Sequence, residues 1–408
     1  MYSNGVNNPA AIAFFIFVIG STMRRFMRQS LKKKDTSSDT VSYLRSSVEN
    51  HPPAPVVIHP AKRGRSDDRF QEIAAELKKN IISGRWKPEM RVPTRRELCA
   101  KYGASPITIQ NIIDQFVEDG FLKSDGRNGT HVMKTPPHHV NVALVFPEDV
   151  AHNRFWRAIS TVAKEGRTDG LKIIQRFNIK YNGWTDNPDQ NALIRDILRK
   201  RLMGIFFTSP PYLVDKTPIV TEHGIPRCAL MAPEGYSEIS QLCPDGFSFQ
   251  EKALACLKAK GRKRIAVVGH PDISNLDWLD KMSAYGFVSG PHWIQGMSLG
   301  DTLPGCNLAR LLFHDSRDKR PDGLIITDDN IVESVTKGIA ESGVKFPQEL
   351  DVIAHCNFPC IPPSSVPVVR LGYDAREVLE LGLGFIRAMK EGASPTKATV
   401  KAVFEDEL

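Results

Sequence analysis

The chain has little that would tie it together covalently or anchor chemistry in a familiar motif. Its 408 residues hold seven cysteines. They are scattered at Cys99, Cys228, Cys243, Cys256, Cys306, Cys356 and Cys360, an odd set that suggests no disulfide framework and fits a reducing, cytoplasmic compartment. No Gly-x-Gly-x-x-Gly or P-loop string occurs. The usual cradles for dinucleotides and nucleotide phosphates are therefore missing. His270-Pro271-Asp272 stands without a partner nucleophile, so no enzyme and no cofactor are expected. His355-Cys356 with Cys360 lacks the second cluster a four-ligand metal site needs, and no metal is expected. Long apolar runs are scarce too. Residues 10–19 form one, shorter than the roughly 20 residues that span a bilayer. No Lys or Arg precedes it, as a secretory signal would require. It reads either as a non-native extension upstream of a start at Met23 or Met27, or as a short anchor leaving the following basic residues in the cytoplasm.

Charge is present but unevenly placed. Residues 1–137 carry 22 Lys and Arg against 13 Asp and Glu, whereas 138–408 carry 32 against 33. The whole positive excess sits at one end, where phosphate contact would need it. Residues 1–66 read as a basic, disordered extension, Ser- and Pro-rich after the apolar run.

From Arg69 to Met133 the pattern becomes informative. Phe70, Ile73, Ala74, Leu77 and Ile81 mark one apolar helix face, with Glu72, Glu76, Lys78 and Lys79 turned to water. Thr94 with Glu97 forms a capping box for a short second helix ended by Gly103. Ser105 caps a third, with Pro106 at its first position. Ile109, Ile112, Ile113, Phe116 and Val117 are expected inward, and Thr108, Gln110 and Asn111 outward. Strands 121–123 and 130–133 flank the turn 125–129 and make a hairpin with a basic tip. Three helices and a hairpin are the parts of a small α+β winged helix-turn-helix, assigned here to residues 67–134. Its third helix would enter the major groove, where Gln or Asn can pair with adenine, while Arg127 neutralises phosphate. The alternative is a winged helix used only for protein contacts.

The string IISGRWKPEMRVPTRRELCAKYGASPITIQNII, closed by EDGFL and GRNGTHV, resembles the GntR-type winged helix. The resemblance implies that Arg95, Arg96, Ser105, Thr108, Gln110, Asn111 and Gly129 contact double-stranded DNA. That family usually carries arginine where this chain has Pro106 and Gln110, so a different base preference is expected.

After a linker at 135–139, residues 140–408 alternate apolar strands with helices, which predicts parallel sheets covered on both faces. Strands are expected at 140–146, 171–177, 202–208, 227–230, 264–269, 323–327, 351–355, 368–371 and 400–404. The length favours two lobes over one sheet. The strings PDGLIITDDN, SGVKFPQELDVIAH and ALACLKAKGRKRIAVV resemble the ligand-binding domain of LacI-type repressors, built like periplasmic sugar-binding proteins. In such α/β folds ligands sit at strand C-terminal ends. The residues at those ends are Asn153, Arg154, Phe155, Trp156 and Ser209 from one lobe, and Asp272, Trp278, Asp329, Cys356 and Asn357 from the other. Trp156 and Trp278 either stack on a sugar ring or cap the core; Asp329 either binds a hydroxyl or caps a helix. The family usually has an acidic residue where Cys356 stands, and its pocket arginine has no counterpart in residues 276–286. The expected function is a homodimeric, cytoplasmic transcription regulator, commonly a repressor, controlled by a small molecule such as a sugar and not attached to a membrane. A membrane-attached sugar sensor retaining residues 10–19 is the alternative.

Overall fold

The computed structural model describes residues 65–166, 168–180, 187–232, 235–271, 277–297, 303–314 and 319–408. The apolar run at 10–19, most of the basic extension and Asp272 lie outside the described residues.

The N-terminal unit is built from α1 (Arg65–Ile82), α2 (Arg95–Tyr102), α3 (Pro106–Glu118), β1 (Leu122–Ser124) and β2 (Thr130–Val132). Its core is one cluster in which Leu77, Leu98, Ile109, Ile112, Phe116 and Phe121 are buried. The spacing of apolar residues in α1 and α3 thus does the folding work expected of it. Two residues depart from expectation. Val117 is exposed; at about 100° per residue it lies some 80° from Ile109, off the buried stripe. Lys78 is drawn inward, its ammonium 5.0 Å from the ring centroids of both Phe116 and Phe121. The hairpin gains a third strand-like segment, since Val92 N–H donates to Thr130 O and Val132 N–H to Met90 O, both at 2.9 Å.

The remainder forms two α/β lobes. The first part of the chain contributes β3 (Asn141–Val145), α4 (Arg154–Lys164), β4 (Lys172–Arg176), α5 (Pro188–Leu198), β5 (Gly204–Phe207), β6 (Arg227–Leu230) and β7 (Ser240–Pro244). Next come α6 (Gly246–Ala259), β8 (Ile265–Gly269), α7 (Trp278–Ala284), β9 (Ile294–Gly296), α8 (Leu303–Leu312), β10 (Gly323–Ile326), α9 (Val332–Glu341), β11 (Asp351–Phe358) and β12 (Val369–Asp374). The chain closes with α10 (Ala375–Lys390), β13 (Lys397–Val400) and β14 (Val403–Phe404).

The first sheet runs β13-β7-β6-β5-β3-β4, with every neighbouring pair parallel. The second runs β14-β12-β11-β10-β8-β9, parallel except for β12 with β14. Strands β3, β5, β6, β8 and β10 are buried along their whole length, as sheets covered by helices on both faces require. The chain passes between the lobes three times: after β7, after β12 and between β13 and β14. Residues 400–404, expected as one strand, therefore split between two sheets. One apolar core joins the lobes, uniting Leu144, Phe206 and Leu230 with Phe249, Val267, Trp278, Ile353 and Leu371. Three elements escape sequence reading. Strand β7 ends in proline, β9 is three residues long, and α8 carries Pro304 and Gly305 in its first turn.

Candidate nucleic-acid interface and ligand cleft

In the N-terminal head the local chemistry fixes which side chains face out. Thr94 Oγ1 accepts from Glu97 N–H at 3.3 Å, and Glu97 Oε2 takes the Thr94 N–H at 2.7 Å. This reciprocal cap starts α2 so that Arg95 and Arg96 occupy its exposed first turn. Gly103, at φ +56°, turns the chain in a left-handed conformation that suits glycine. Ser105 then caps α3: its Oγ accepts from Thr108 N–H at 3.1 Å, and the two hydroxyls lie 2.9 Å apart. Ile107, Gln110, Asn111 and Asp114 follow at one-turn spacing on the outer face. Gln110 Nε2 donates to Asp114 Oδ1 at 2.6 Å, and Gln110 Oε1 is screened from solvent. The amide proposed to read a base is thus engaged with its own helix, whereas Asn111 is exposed. In the wing, Arg127 is exposed, and Gly129 adopts φ +95°. A Cβ at Gly129 would stand 2.7 Å from Arg91 Nε, so the Arg91 guanidinium lies against the base of the wing.

A buried polar seam ties this head to the first lobe. Asp119, just past α3, has a fully buried carboxylate facing three cations: Arg199 at 2.9 Å, Lys78 at 3.4 Å and Arg201 at 3.9 Å. Lys78 also donates to Arg199 O at 2.9 Å. Burial holds the Lys78 ammonium below its usual pKa range, with Asp119 acting in the opposite sense. Arg199 and Arg201 belong to the turn between α5 and β5. Beside them the linker is not a free string: residues 137–140 form a helical turn. The His138 ring stacks on Phe121 at 5.6 Å, with neither ring nitrogen hydrogen-bonded. Burial, reinforced by His139 and Lys390, pushes the His138 pKa down to about 3.

The second group of expected residues gathers where the lobes meet. Asn153 caps α4, its Oδ1 accepting from Trp156 N–H at 3.0 Å. Arg154 N–H donates across the lobe boundary to Asn330 Oδ1 at 3.2 Å, and its guanidinium lies 3.8 Å from Glu333. Asn330 N–H and Nδ2 in turn donate to Asp328 Oδ1 at 2.8 and 2.9 Å. Asp329 Oδ2 accepts from Asn357 Nδ2 at 2.9 Å and its N–H at 3.3 Å. Burial raises the pKa of both aspartates; for Asp329 the neighbouring Asp328 charge adds to the rise, and Arg154 opposes it in both. This is a polar patch rich in acceptors, with one arginine closing over it, suited to ligands that donate several hydrogen bonds.

Other expected cleft residues are placed differently. Trp156 turns its Nε1–H to Thr208 O at 3.2 Å. Phe155 and Trp278 are packed in the joint core, Trp278 without exposed surface; neither offers a ring face in this conformation. Ser209 and Cys356 are buried, and burial pushes the Cys356 thiol pKa far up. Asp329 is not a helix cap, since α9 starts after Ile331. Strand alternation sends His355 and Cys356 to opposite faces of the sheet, with His355 between Phe249 and Tyr373. Among the described residues no group of three or more His, Cys, Asp or Glu is arranged to hold a metal, and no helix is long and apolar enough to cross a membrane.

Residues 69–132 match the model of bacterial regulatory proteins of the gntR family. The match is confined to the N-terminal head. The chain is 26% identical over 121 residues to the HTH-type transcriptional regulator TreR of Bacillus subtilis (strain 168), covering 29% of this chain and 51% of TreR. It is 34% identical over 73 residues to the uncharacterized HTH-type transcriptional regulator YurK of the same strain, covering 18% and 30%. The chain thus spans about half, or less, of the length of these relatives. A solved complex of the transcriptional regulator CelR with cellobiose shares the fold over 77% of this chain and 98% of its own, with a TM-score of 0.51 and 14% identity.

Several residues of the head and of the cleft lie outside the set that sequence reading selects. Asp119 sat inside EDGFL, and nothing local marks it as buried, because its arginines lie some 80 positions away. Asp328 and Asn330 flank Asp329 in TDDN, and nothing local in that string separates the three. Arg91 and Ile107 carry signals that were present, a cation beside the wing strand and an apolar residue off the buried stripe.

Proposed function

We propose that this chain is a sequence-specific DNA-binding transcription regulator whose operator affinity is set by a small molecule, a sugar, held between the two lobes. The observation that carries the reading is a GntR head with its reading surface turned outward, in the same chain as a two-lobed receptor. Arg95, Arg96 and Arg127 supply phosphate contacts; Ser105, Thr108, Gln110 and Asn111 face the bases; Gly129 lets the wing backbone approach. In the receptor, Asn153, Arg154, Asp329 and Asn357, joined by Asp328 and Asn330, bind hydroxyls. The cellobiose held by a regulator of similar fold supports a sugar over other polar effectors. Two chains acting as a homodimer present two heads to two half-sites. Effector binding changes how the lobes close, and the seam at Asp119 passes that change to the end of α3.

Selection of bound duplexes from a random pool, with and without a panel of pentoses, hexoses and disaccharides, tests this. A defined motif whose retention changes with one sugar is the expected result. Retention of no duplex under any condition contradicts the reading.

A further inference from the structure

We propose that Ile107 reads a thymine 5-methyl group in the major groove; the inference rests on the DNA-binding reading above and adds a specificity residue to it. Four apolar residues of α3, Ile109, Ile112, Ile113 and Phe116, are buried. Ile107 is not among them: it is 73% exposed in the first turn. It opens the outward stripe that continues through Gln110, Asn111 and Asp114. The polar groups around it are largely committed within the protein. The hydroxyls of Ser105 and Thr108 face each other at 2.9 Å, and Gln110 donates to Asp114 at 2.6 Å. The surface this turn presents is therefore a branched alkyl group beside the Asn111 amide.

The occupant follows from the setting. Exposed Arg95 and Arg96 at the start of α2 and Arg127 on the wing give the same small unit exposed positive charge, which suits a polyanion. Of the unmodified base edges in the major groove, only thymine carries a methyl group. An aliphatic side chain gains from covering that methyl and gains nothing comparable from the other three bases, so the contact selects sequence rather than merely adding affinity. Pro106, immediately before it at the first helical position, has its φ preset for the helix and so favours the turn from which Ile107 projects.

The test uses the full-length protein and the duplex motif selected from a random pool. Each thymine of the motif is replaced in turn by deoxyuridine, which removes the methyl and leaves every hydrogen-bonding group in place. One position per half-site is expected where this weakens binding about four-fold, the worth of one buried methyl-sized group. Ile107→Ser should bind the thymine and uridine duplexes equally at that position, with an unchanged salt slope. Ile107→Val, which keeps the branched surface, should retain the discrimination. If no uridine substitution weakens the wild-type complex, or if Ile107→Ser leaves the thymine preference intact, the inference is overturned while the DNA-binding reading stands. If the protein retains no duplex in the selection, both are overturned.

Discussion

The head and the receptor handle their polar side chains in opposite ways. None of the residues expected to touch DNA is buried: Arg95, Arg96, Ser105, Asn111 and Arg127 are exposed, and Thr108, Gln110 and Gly129 are half-buried. Of those expected to touch the effector and described here, all are buried except Arg154, which is half-buried. A surface that must meet a large, stiff polyanion is kept open permanently. A site that must enclose a small molecule can be closed upon itself, with Asp329 on Asn357 and Arg154 on Asn330. On the proposed function, the head offers its contact surface as it stands, apart from the Gln110–Asp114 bond, whereas the receptor opens to admit its effector. The Asp119 seam is where the two meet, and it is the one place in the head where a carboxylate is fully enclosed together with receptor cations.

The largest effect should come from breaking that seam. Asp119→Ala removes the carboxylate that Lys78 and Arg199 share, while Arg201 keeps Asp196 at 3.2 Å, and removing one member of a buried pair costs about 3–5 kcal/mol. Because both arginines keep partial access to water, about 2–3 kcal/mol is expected, and calorimetry should show the head melting separately from the lobes. A single unshifted transition would mean the seam does not hold the head.

Arg96→Ala comes next. It should lower affinity for every duplex by about ten-fold and make the salt dependence shallower by about one phosphate contact. A loss confined to one sequence would move Arg96 from positioning to reading. Gln110→Ala should alter preference at a single base pair by about 1 kcal/mol, the low end for a base contact, since Gln110 must first release Asp114. Equal losses on all sequences would remove Gln110 from the reading set.

The smallest effects are those of pH, and they have opposite signs in the two regions. Asp328 and Asp329 have raised folded pKa values, so the stability they contribute is complete below the ordinary carboxylate value of 3.8 and lost as pH climbs through the raised values. Asp329→Asn should flatten that decline in the receptor. His138, lowered to about 3, contributes fully above its ordinary 6.5, and that contribution disappears as pH falls toward 3. His138→Phe should make the head–receptor seam less acid-sensitive. Thermal unfolding between pH 4 and 8 checks both signs.

Most of the fold was legible because local rules decide it. The Thr94–Glu97 capping box, Ser105 with Pro106, and unbroken apolar strands such as β3 and β10 each fix their element without help from distant residues. Elements carrying a breaker or only three residues, α8 and β9, were not legible. The partition of residues 400–404 between two sheets depends on which strand lies alongside, and that is not written locally. The sites divide the same way. Exposed positions on α3 follow from its period, which also told against Val117 once the drift over two turns is counted. What sequence could not supply were pairings across long separations: Asp119 with Arg199, Arg154 with Asn330, and Asp329 with Asn357. Each needs distant elements assembled first: the head on a lobe, one lobe on the other, or β10 beside β11.

Titration of a labelled mixed-sequence duplex with the purified full-length protein, at low and then physiological ionic strength, tests the account most directly. It predicts saturable binding at low salt that weakens steeply as salt is added, with Arg96→Ala weaker throughout. Indifference to duplex DNA at low ionic strength would contradict it.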